Sequence, residues 1–335
     1  MKVLAAWTLW PDPPATAGGD RFAPDLVALE AQYVAQRPRR VGRHARLTLV
    51  GAAACLKESG IEVPGARTGI YLGSGVGNAA EEALVAGQVV CSAMGVSQGP
   101  PSPVHFANSV SNSATFYAAR VTGATGPNLV VSQEEVSFEG ALMAADLALA
   151  AGEVDFALVG GVDECLPDRE GVYLRIDLPP DVVLGEGSAW LLVARDGERA
   201  LGEVLASFQV REGAVIDPPA NAAVTPDAPP VDDAGIAWDR IASEVARHRL
   251  PGEPVTILPG LRIGPCDQSA LATRIPGATL APYLPRCGAF ATAAALGIAG
   301  RFADGTAPGL FVHVTRCRIG VAAVVARRHP DAARE

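Results

Sequence analysis

Lysine is almost missing from this chain: Lys2 and Lys57 are the only two among 335 residues, which excludes a Walker-type phosphate loop with its lysine. Basic residues are outnumbered, 27 against 36 acids, and the formal charge of −9 excludes a general binder of nucleic acid or of an anionic membrane. Long apolar runs are lacking too. Asp146 breaks the stretch 140–151, and no segment reaches the roughly 18 residues that a membrane span needs. The six cysteines, at 55, 91, 165, 266, 287 and 317, form no Cys-x-x-Cys pair, so neither a disulfide framework nor a zinc site is indicated. They read as reduced thiols of a cytoplasmic protein. Lys2, the apolar stretch after it and Ala15-Thr16-Ala17 faintly imitate a secretory signal, but 3–10 also reads as an opening buried strand, which is the preferred reading. What is abundant is apolar. With 49% hydrophobic and 19% charged residues the chain can bury the core of one large or two fused domains, and it is too apolar for disorder.

Periodicity predicts a helix over 39–59 with Arg39, Arg43 and Arg46 on one side, then a strand over 68–72. Gly73-Ser74-Gly75-Val76-Gly77 leads into a helix over 78–90, and a second helix is expected over 109–121. After a strand at 129–131, an Ala/Leu-rich helix runs from Ser132 to about Gly152; it is apolar on nearly all sides and belongs at the centre. Strands at 156–159 and 188–194 complete an α/β unit. Pro, Ala and Asp crowd 211–235, which reads as a loop or hinge. Beyond it come a helix at 236–249, a strand at 255–258, a helix at 288–301, and strands at 311–315 and 319–326. The second part repeats the first in outline although no sequence repeat is visible, and the expected division is 1–205 and 206–335.

The glycine-rich run at 73–77 could turn backbone amides toward an anion. Asn78 takes the place of the third glycine of a dinucleotide fingerprint, however, and no acid follows about twenty residues on to hold a ribose. A tight strand-to-helix turn is the better account. The histidines at 44, 105, 248, 313 and 329 have no metal spacing. His105, in a Pro-rich loop, and His313, on a strand, are the two worth testing. Neither a metal nor a cofactor is expected. Arg37, Arg39, Arg40, Arg43 and Arg46 concentrate positive charge that could dock an acidic partner, with a solvated helix face as the simpler account.

Several segments in order resemble the β-ketoacyl synthase family, the condensing enzymes of fatty-acid and polyketide synthesis. They are Gly73-Ser74-Gly75-Val76-Gly77, Asn108-Ser109-Val110-Ser111-Asn112, Gly126-Pro127-Asn128-Leu129-Val130-Val131, the run from Gly152 through Gly160-Gly161-Val162, and Gly185-Glu186-Gly187. Their order and spacing fit over about 40–200; the second half matches much more weakly. The resemblance implies a thiolase-like α/β fold, two similar halves with buried central helices between mixed sheets. It also implies where the chemistry should be. Counting from Gly126-Pro127, the family's nucleophilic cysteine falls on Glu135, whose carboxylate is a far poorer nucleophile toward a thioester than a thiolate. The two family histidines, which hydrogen-bond the substrate's thioester oxygen, fall on Pro259 and Ala289, neither of which can donate a side-chain hydrogen bond. No histidine lies between His248 and His313 to restore either.

A ketosynthase-like chain without its cysteine resembles the chain-length factor, the noncatalytic partner in type II polyketide synthases. The implied role is to pair with an active ketosynthase as a heterodimer and shape a tunnel for acyl chains on acyl carrier protein. By that analogy Val76, Ala79, Ala80 and Ala83, together with Glu135, are candidate tunnel residues. Two other accounts of Glu135 stand beside it. Ser132-Gln133-Glu134-Glu135 is a Ser-x-x-Glu capping box, in which the carboxylate only starts the central helix. Alternatively Glu135 is a general base of a divergent enzyme acting on an acyl substrate, its pKa raised by burial. A homodimer that only binds an acyl or aromatic ligand is the third expectation.

Overall fold

The computed structural model describes residues 1–11, 21–96, 99–166, 183–211, 233–304, 307–318 and 320–330. The hinge expected at 211–235 and Ala15-Thr16-Ala17 fall largely or wholly outside them. In chain order the first half holds β1 (Lys2–Leu9), β2 (Arg21–Phe22), α1 (Val27–Tyr33), α2 (Arg43–Ser59), β3 (Thr68–Gly73), α3 (Ala79–Ala93), α4 (Pro103–Ser109) and α5 (Ser113–Thr122). It continues with β4 (Asn128–Val131), α6 (Ser137–Ala150), β5 (Phe156–Asp163), β6 (Leu184–Gly185) and β7 (Gly187–Ala194). The rest holds β8 (Gly202–Arg211), α7 (Asp233–His248), β9 (Val255–Pro259), α8 (Pro265–Arg274), β10 (Thr279–Leu280), α9 (Leu284–Cys287), α10 (Ala293–Ala303), β11 (Gly309–Cys317) and β12 (Gly320–Arg328).

Ten strands join in the order β10-β9-β11-β12-β8-β1-β7-β5-β3-β4. Read outward from β1, the first five run antiparallel, antiparallel, parallel, parallel; read outward from β8, the other five do the same. A short antiparallel contact, Lys2 with Glu203 and Val3 with Gly202, joins the two. The strand pattern is therefore duplicated. Period-two alternation divides the side chains of these strands between layers. On β7, Ala189, Leu191 and Val193 face the central cluster while Trp190 and Leu192 face α2 and α5. On β11, Phe311 faces that same centre and Leu310, Val312 and Val314 face α7 and α8. Between the two sets of strands lie α6 and α10, and nearly every residue of α10 is buried.

Several expected bounds shift for local reasons. The helix expected from 39 begins at Arg43, because Arg40 adopts φ 58° and Gly42 is extended as its cap. His105 lies on a short helix rather than in a loop, since Pro103 takes the first turn, where its missing N–H costs nothing. The helix expected from 109 starts at Ser113, and the one expected from 288 starts at Ala293, after Gly288 at φ 70°. No helix among the described residues is long and apolar enough to cross a membrane.

Trp190 is fully buried, and glycines make room for it: a Cβ at Gly51 would lie 2.4 Å from its ring, and one at Gly160 2.5 Å. Gly51→Ala gains about 1 kcal/mol of helix propensity but overpacks by about 1–3 kcal/mol. A lowered urea midpoint is expected. An unchanged or raised midpoint would mean that α2 shifts freely over β7.

Candidate functional site

Three loops and the start of α6 converge around Glu135. The helix does not begin with the expected capping box. Glu134 adopts φ 53°, Glu134–Val136 form a single 3-10 turn, and the Ser137 hydroxyl accepts from the Gln133 amide at 2.8 Å while donating to the Glu134 carbonyl at 2.7 Å. Tertiary packing overrides the local motif: Gly73 lies so close to Ser137 and Phe138 that a Cβ would meet their backbone at 2.6 Å, and a Cβ on Gly75 would lie 2.9 Å from the Glu134 carbonyl oxygen. Glu135 is thereby turned inward, with none of its side chain exposed and neither carboxylate oxygen accepting a hydrogen bond. Among the described residues Arg262 stands beside it, with Nη1 3.6 Å from Oε1. Burial raises the Glu135 pKa, with Arg262 opposing that rise and Glu134 adding to it.

The glycine-rich loop after β3 is a tight turn, and its amides already have protein acceptors. Asp163, at the end of β5, accepts from the Ser74 hydroxyl at 2.8 Å, the Val76 amide at 3.0 Å and the Thr292 amide at 2.9 Å, while the Gly77 amide donates to Ser74 Oγ. The Val76 and Gly77 amides are therefore not open to an anion. His44 closes the same network, with Nδ1 2.9 Å from Asn78 Oδ1 and Nε2 3.1 Å from Ser74 Oγ; burial lowers its pKa. Around Ala289, Val76, Gly185 and Ala291 the remaining cavity is about 10 Å³, at the lower limit for a single water. Ala289 itself is 2% exposed, its amide donating to Val183 O and its carbonyl accepting from Gly185.

Pro259 ends β9. The next residues are pinned to β11 by two backbone bonds, Gly260 N to Val314 O at 2.8 Å and Arg316 N to Leu261 O at 3.1 Å, so Arg262 is aimed at Glu135 from φ 59°. One turn beyond Glu135 lies a group that sequence reasoning did not assemble. His313 Nδ1 stands 3.6 Å from Glu139 Oε1, and its Nε2 is 2.8 Å from the Tyr283 hydroxyl; His313 and Glu139 are fully buried. Burial pushes Glu139 up to about 7, against the pull of the Thr315 hydroxyl, and pushes His313 down to about 3. An imidazole thus lies one helical turn beyond Glu135, although neither family histidine position carries one. The Cys287 thiol lies 3.8 Å from the Tyr283 carbonyl oxygen. Burial holds Cys287 at about 12, however, so it is not a thiolate at neutral pH.

Val76 precedes α3 and Ala79, Ala80 and Ala83 lie along it; no residue of that helix is buried, apolar though it is. Within the arginine group, Arg43 pairs with Glu186 and Arg46 with Glu30, while Arg37 donates to Val27 O at 2.7 Å. Arg39 and Arg40 are exposed. His105 Nδ1 is 2.7 Å from Glu81 Oε2, which ties α4 to α3. Among the described residues no cluster of histidine, cysteine and acid side chains could hold a metal.

The sequence of residues 7–175 matches the family model described as the β-ketoacyl synthase N-terminal domain. No curated protein sequence matches the chain. Among solved structures it is similar to the ishigamide ketosynthase/chain length factor, at TM-score 0.66 and 21% identity over 89% of this chain and 84% of that one. It is also similar to AntDE:AntF, a type II polyketide synthase acyl-carrier protein in complex with its ketosynthase bound to the hexaketide, at TM-score 0.71 and 13% identity over 98% and 99%. A β-ketoacyl synthase from Burkholderia phymatum STM815 aligns at TM-score 0.69 and 13% identity over 89% and 86%.

Proposed function

Since the chain belongs to the β-ketoacyl synthase family, we propose that it is a noncatalytic, chain-length-factor-like member, which pairs with an active ketosynthase and shapes the tunnel for carrier-bound acyl chains. The observation that carries this is the nucleophile position. Glu135 stands there, buried against Arg262, and neither Pro259 nor Ala289 can deliver a proton. Ser137, two residues on, has its hydroxyl engaged with backbone on both sides. Volume is then what the chain has to offer. Ala79, Ala80 and Ala83 contribute small side chains to a helix with no buried residue, and Val76 lies just before it, consistent with a tunnel wall completed by the partner. The repeated strand pattern supports a division into two halves, and the boundary proposed between 205 and 206 falls inside β8, the strand that begins the second set at Gly202. Exposed Arg39 and Arg40 offer positive charge to an acidic carrier protein.

Co-expression with the ketosynthase and carrier protein of the same pathway tests this reading. A one-to-one complex that extends chains is expected, and Glu135→Gln in that complex should leave product length and rate within about twofold. A ketosynthase fully active as a homodimer would defeat the proposal. The second reading, Glu135 as a general base, draws support from its buried carboxyl with a raised pKa. It requires Glu135→Gln to abolish turnover, so the same variant separates the two.

A further inference from the structure

A crevice between the segment after α1 and the second half of α5 takes part in neither reading of the site. Its volume is about 370 Å³, within the range of small-molecule sites, while the hollow on the other side of Arg37 and Pro38 holds about 250 Å³. Tyr33, Pro38 and Tyr117 give it flat apolar surface, and its charged lining residues, among those described, are Arg37 and Arg120. On a chain of formal charge −9, no described carboxylate lines it. Two acids stand nearby, and each is balanced. Glu30 accepts from Arg46 and lies 3.6 Å from Arg37 Nε, so two guanidiniums share one carboxylate and a positive charge is left over. Glu58 accepts from the Tyr33 hydroxyl, and Lys57 Nζ lies 5.6 Å from the centroid of that ring.

Arg120 is more available still. Among the described residues it makes no hydrogen bond or ion pair, and its guanidinium lies over the Phe116 ring, one turn back on α5, at 5.9 Å. A hollow of about 380 Å³ beside α7 differs in this respect, because Arg249 there donates to Glu253 O and Pro276 O and Arg274 pairs with Asp239. The crevice is also braced. Arg40 is held at φ 58°, a costly conformation for a residue with a side chain. Asn108, 4% exposed, donates from Nδ2 to the Arg40 carbonyl at 2.7 Å and accepts from the Tyr117 hydroxyl at 3.4 Å. One buried amide therefore ties the strained segment to the α5 wall, so that less order has to be imposed on binding.

We infer that this crevice binds a planar aromatic anion, its ring against the tyrosines and Pro38 and its carboxylate or phosphate on Arg120 and Arg37. Guanidinium forks match both anionic groups, and tyrosine faces supply the flat contact that an aromatic ring needs. The inference goes beyond the proposed function and is independent of it, since neither Glu135 nor α3 lines the crevice.

Calorimetric titration of the full chain at low salt, with 2-naphthoate and 1-naphthyl phosphate as probes, tests this. Saturable one-to-one binding of at least one probe is expected, and the tighter of the two identifies the anionic group. Neutral 2-naphthamide should bind at least about tenfold more weakly, and acetate and inorganic phosphate at equal concentration should not compete. Arg120→Ala and Tyr117→Ala should each weaken the tighter probe at least about tenfold, with Arg120→Lys losing less. Arg39→Ala, which removes an exposed arginine outside the lining, should leave it within about twofold. Absence of saturation by about 10 mM of either probe, equal affinity for the naphthamide, or a loss with Arg39→Ala as large as with Arg120→Ala overturns the inference. Should Tyr117→Ala fail to fold, Arg120→Ala decides alone, because that side chain is exposed and supports no core.

Discussion

Glu139→Gln should stabilise the protein by about 3 kcal/mol at pH 8 and by close to nothing at pH 4.5. In the fold Glu139 titrates at about 7, and the ordinary value is 4.5. Between those values the folded chain binds more protons than the unfolded one, so Glu139 subtracts stability as pH rises through the window and its full cost is reached above it. A difference of roughly 2.5 pH units at 1.36 kcal/mol each gives the stated figure. The wild type hides much of this. His313, pushed from 6.5 to about 3, has the opposite slope: the unfolded chain gains its proton first, so stability contributed by the neutral ring is lost as pH falls from 6.5 toward 3. The two nearly cancel from 4.5 to 6.5, and the pair should look pH-neutral until one member is removed. Urea midpoints of wild type and Glu139→Gln at pH 4.5, 6 and 8 check this. A difference that does not grow with pH would show that Glu139 keeps an ordinary carboxylate environment. Glu164, also held at about 7 by burial and by Glu186, adds a slope of the same sign to both proteins and drops out of the comparison.

This pair also marks where the sequence ceased to be legible. Most of the long strands, though not β8, and the central position of α6 could be read from apolar runs and glycine spacing, and the resemblance to β-ketoacyl synthases pointed to Glu135 near its start. His313 was singled out only as a histidine on a strand. Its relation to Glu139, 174 positions earlier, depends on β11 passing over α6, and no local pattern encodes that crossing. The one available signal was Glu139 itself, an acid inside a helix otherwise apolar on nearly all sides, which a helix dipole explains away too easily. The capping box failed in the reverse direction: its residues have the right spacing, but the close approach of Gly73 and Gly75 forces Glu134 into the left-handed region and delays the helix to Ser137. That the second part repeats the first could be read in outline, but the order of strands within each half could not, because it needs only alternating apolar residues, which many unrelated sequences supply. α4, one of the short helices, had a signature in Ser102-Pro103 that reading the stretch as a Pro-rich loop passed over.

Val90→Glu together with Met94→Glu should weaken the complex with the proposed ketosynthase partner at least 100-fold while leaving the isolated chain folded. The reason lies in the mismatch between composition and packing on α3. Its fifteen residues are predominantly apolar, yet none is buried, and the side chains of Val90 and Met94, one turn apart, are 55% and 71% exposed. Phe106 on neighbouring α4 is 61% exposed, and Leu129 on β4, the outermost strand beyond β3, is 43% exposed. Exposed apolar side chains on α3 and α4, and on β4, which ends the sheet among the described residues, are a liability for a chain that stays alone, and they fit the proposed subunit that is covered in its working state. Two carboxylates placed in that contact would have to be desolvated without partners, and a loss of only about 3 kcal/mol already amounts to more than 100-fold. Neither position supports the internal core, so unfolding of the lone chain should move by less than about 0.5 kcal/mol, and its solubility should improve. Sedimentation of the co-purified pair against the unfolding curve of the single chain separates the two effects. A complex that survives both charges would place the partner on a different face and leave the exposure of α3 to another explanation.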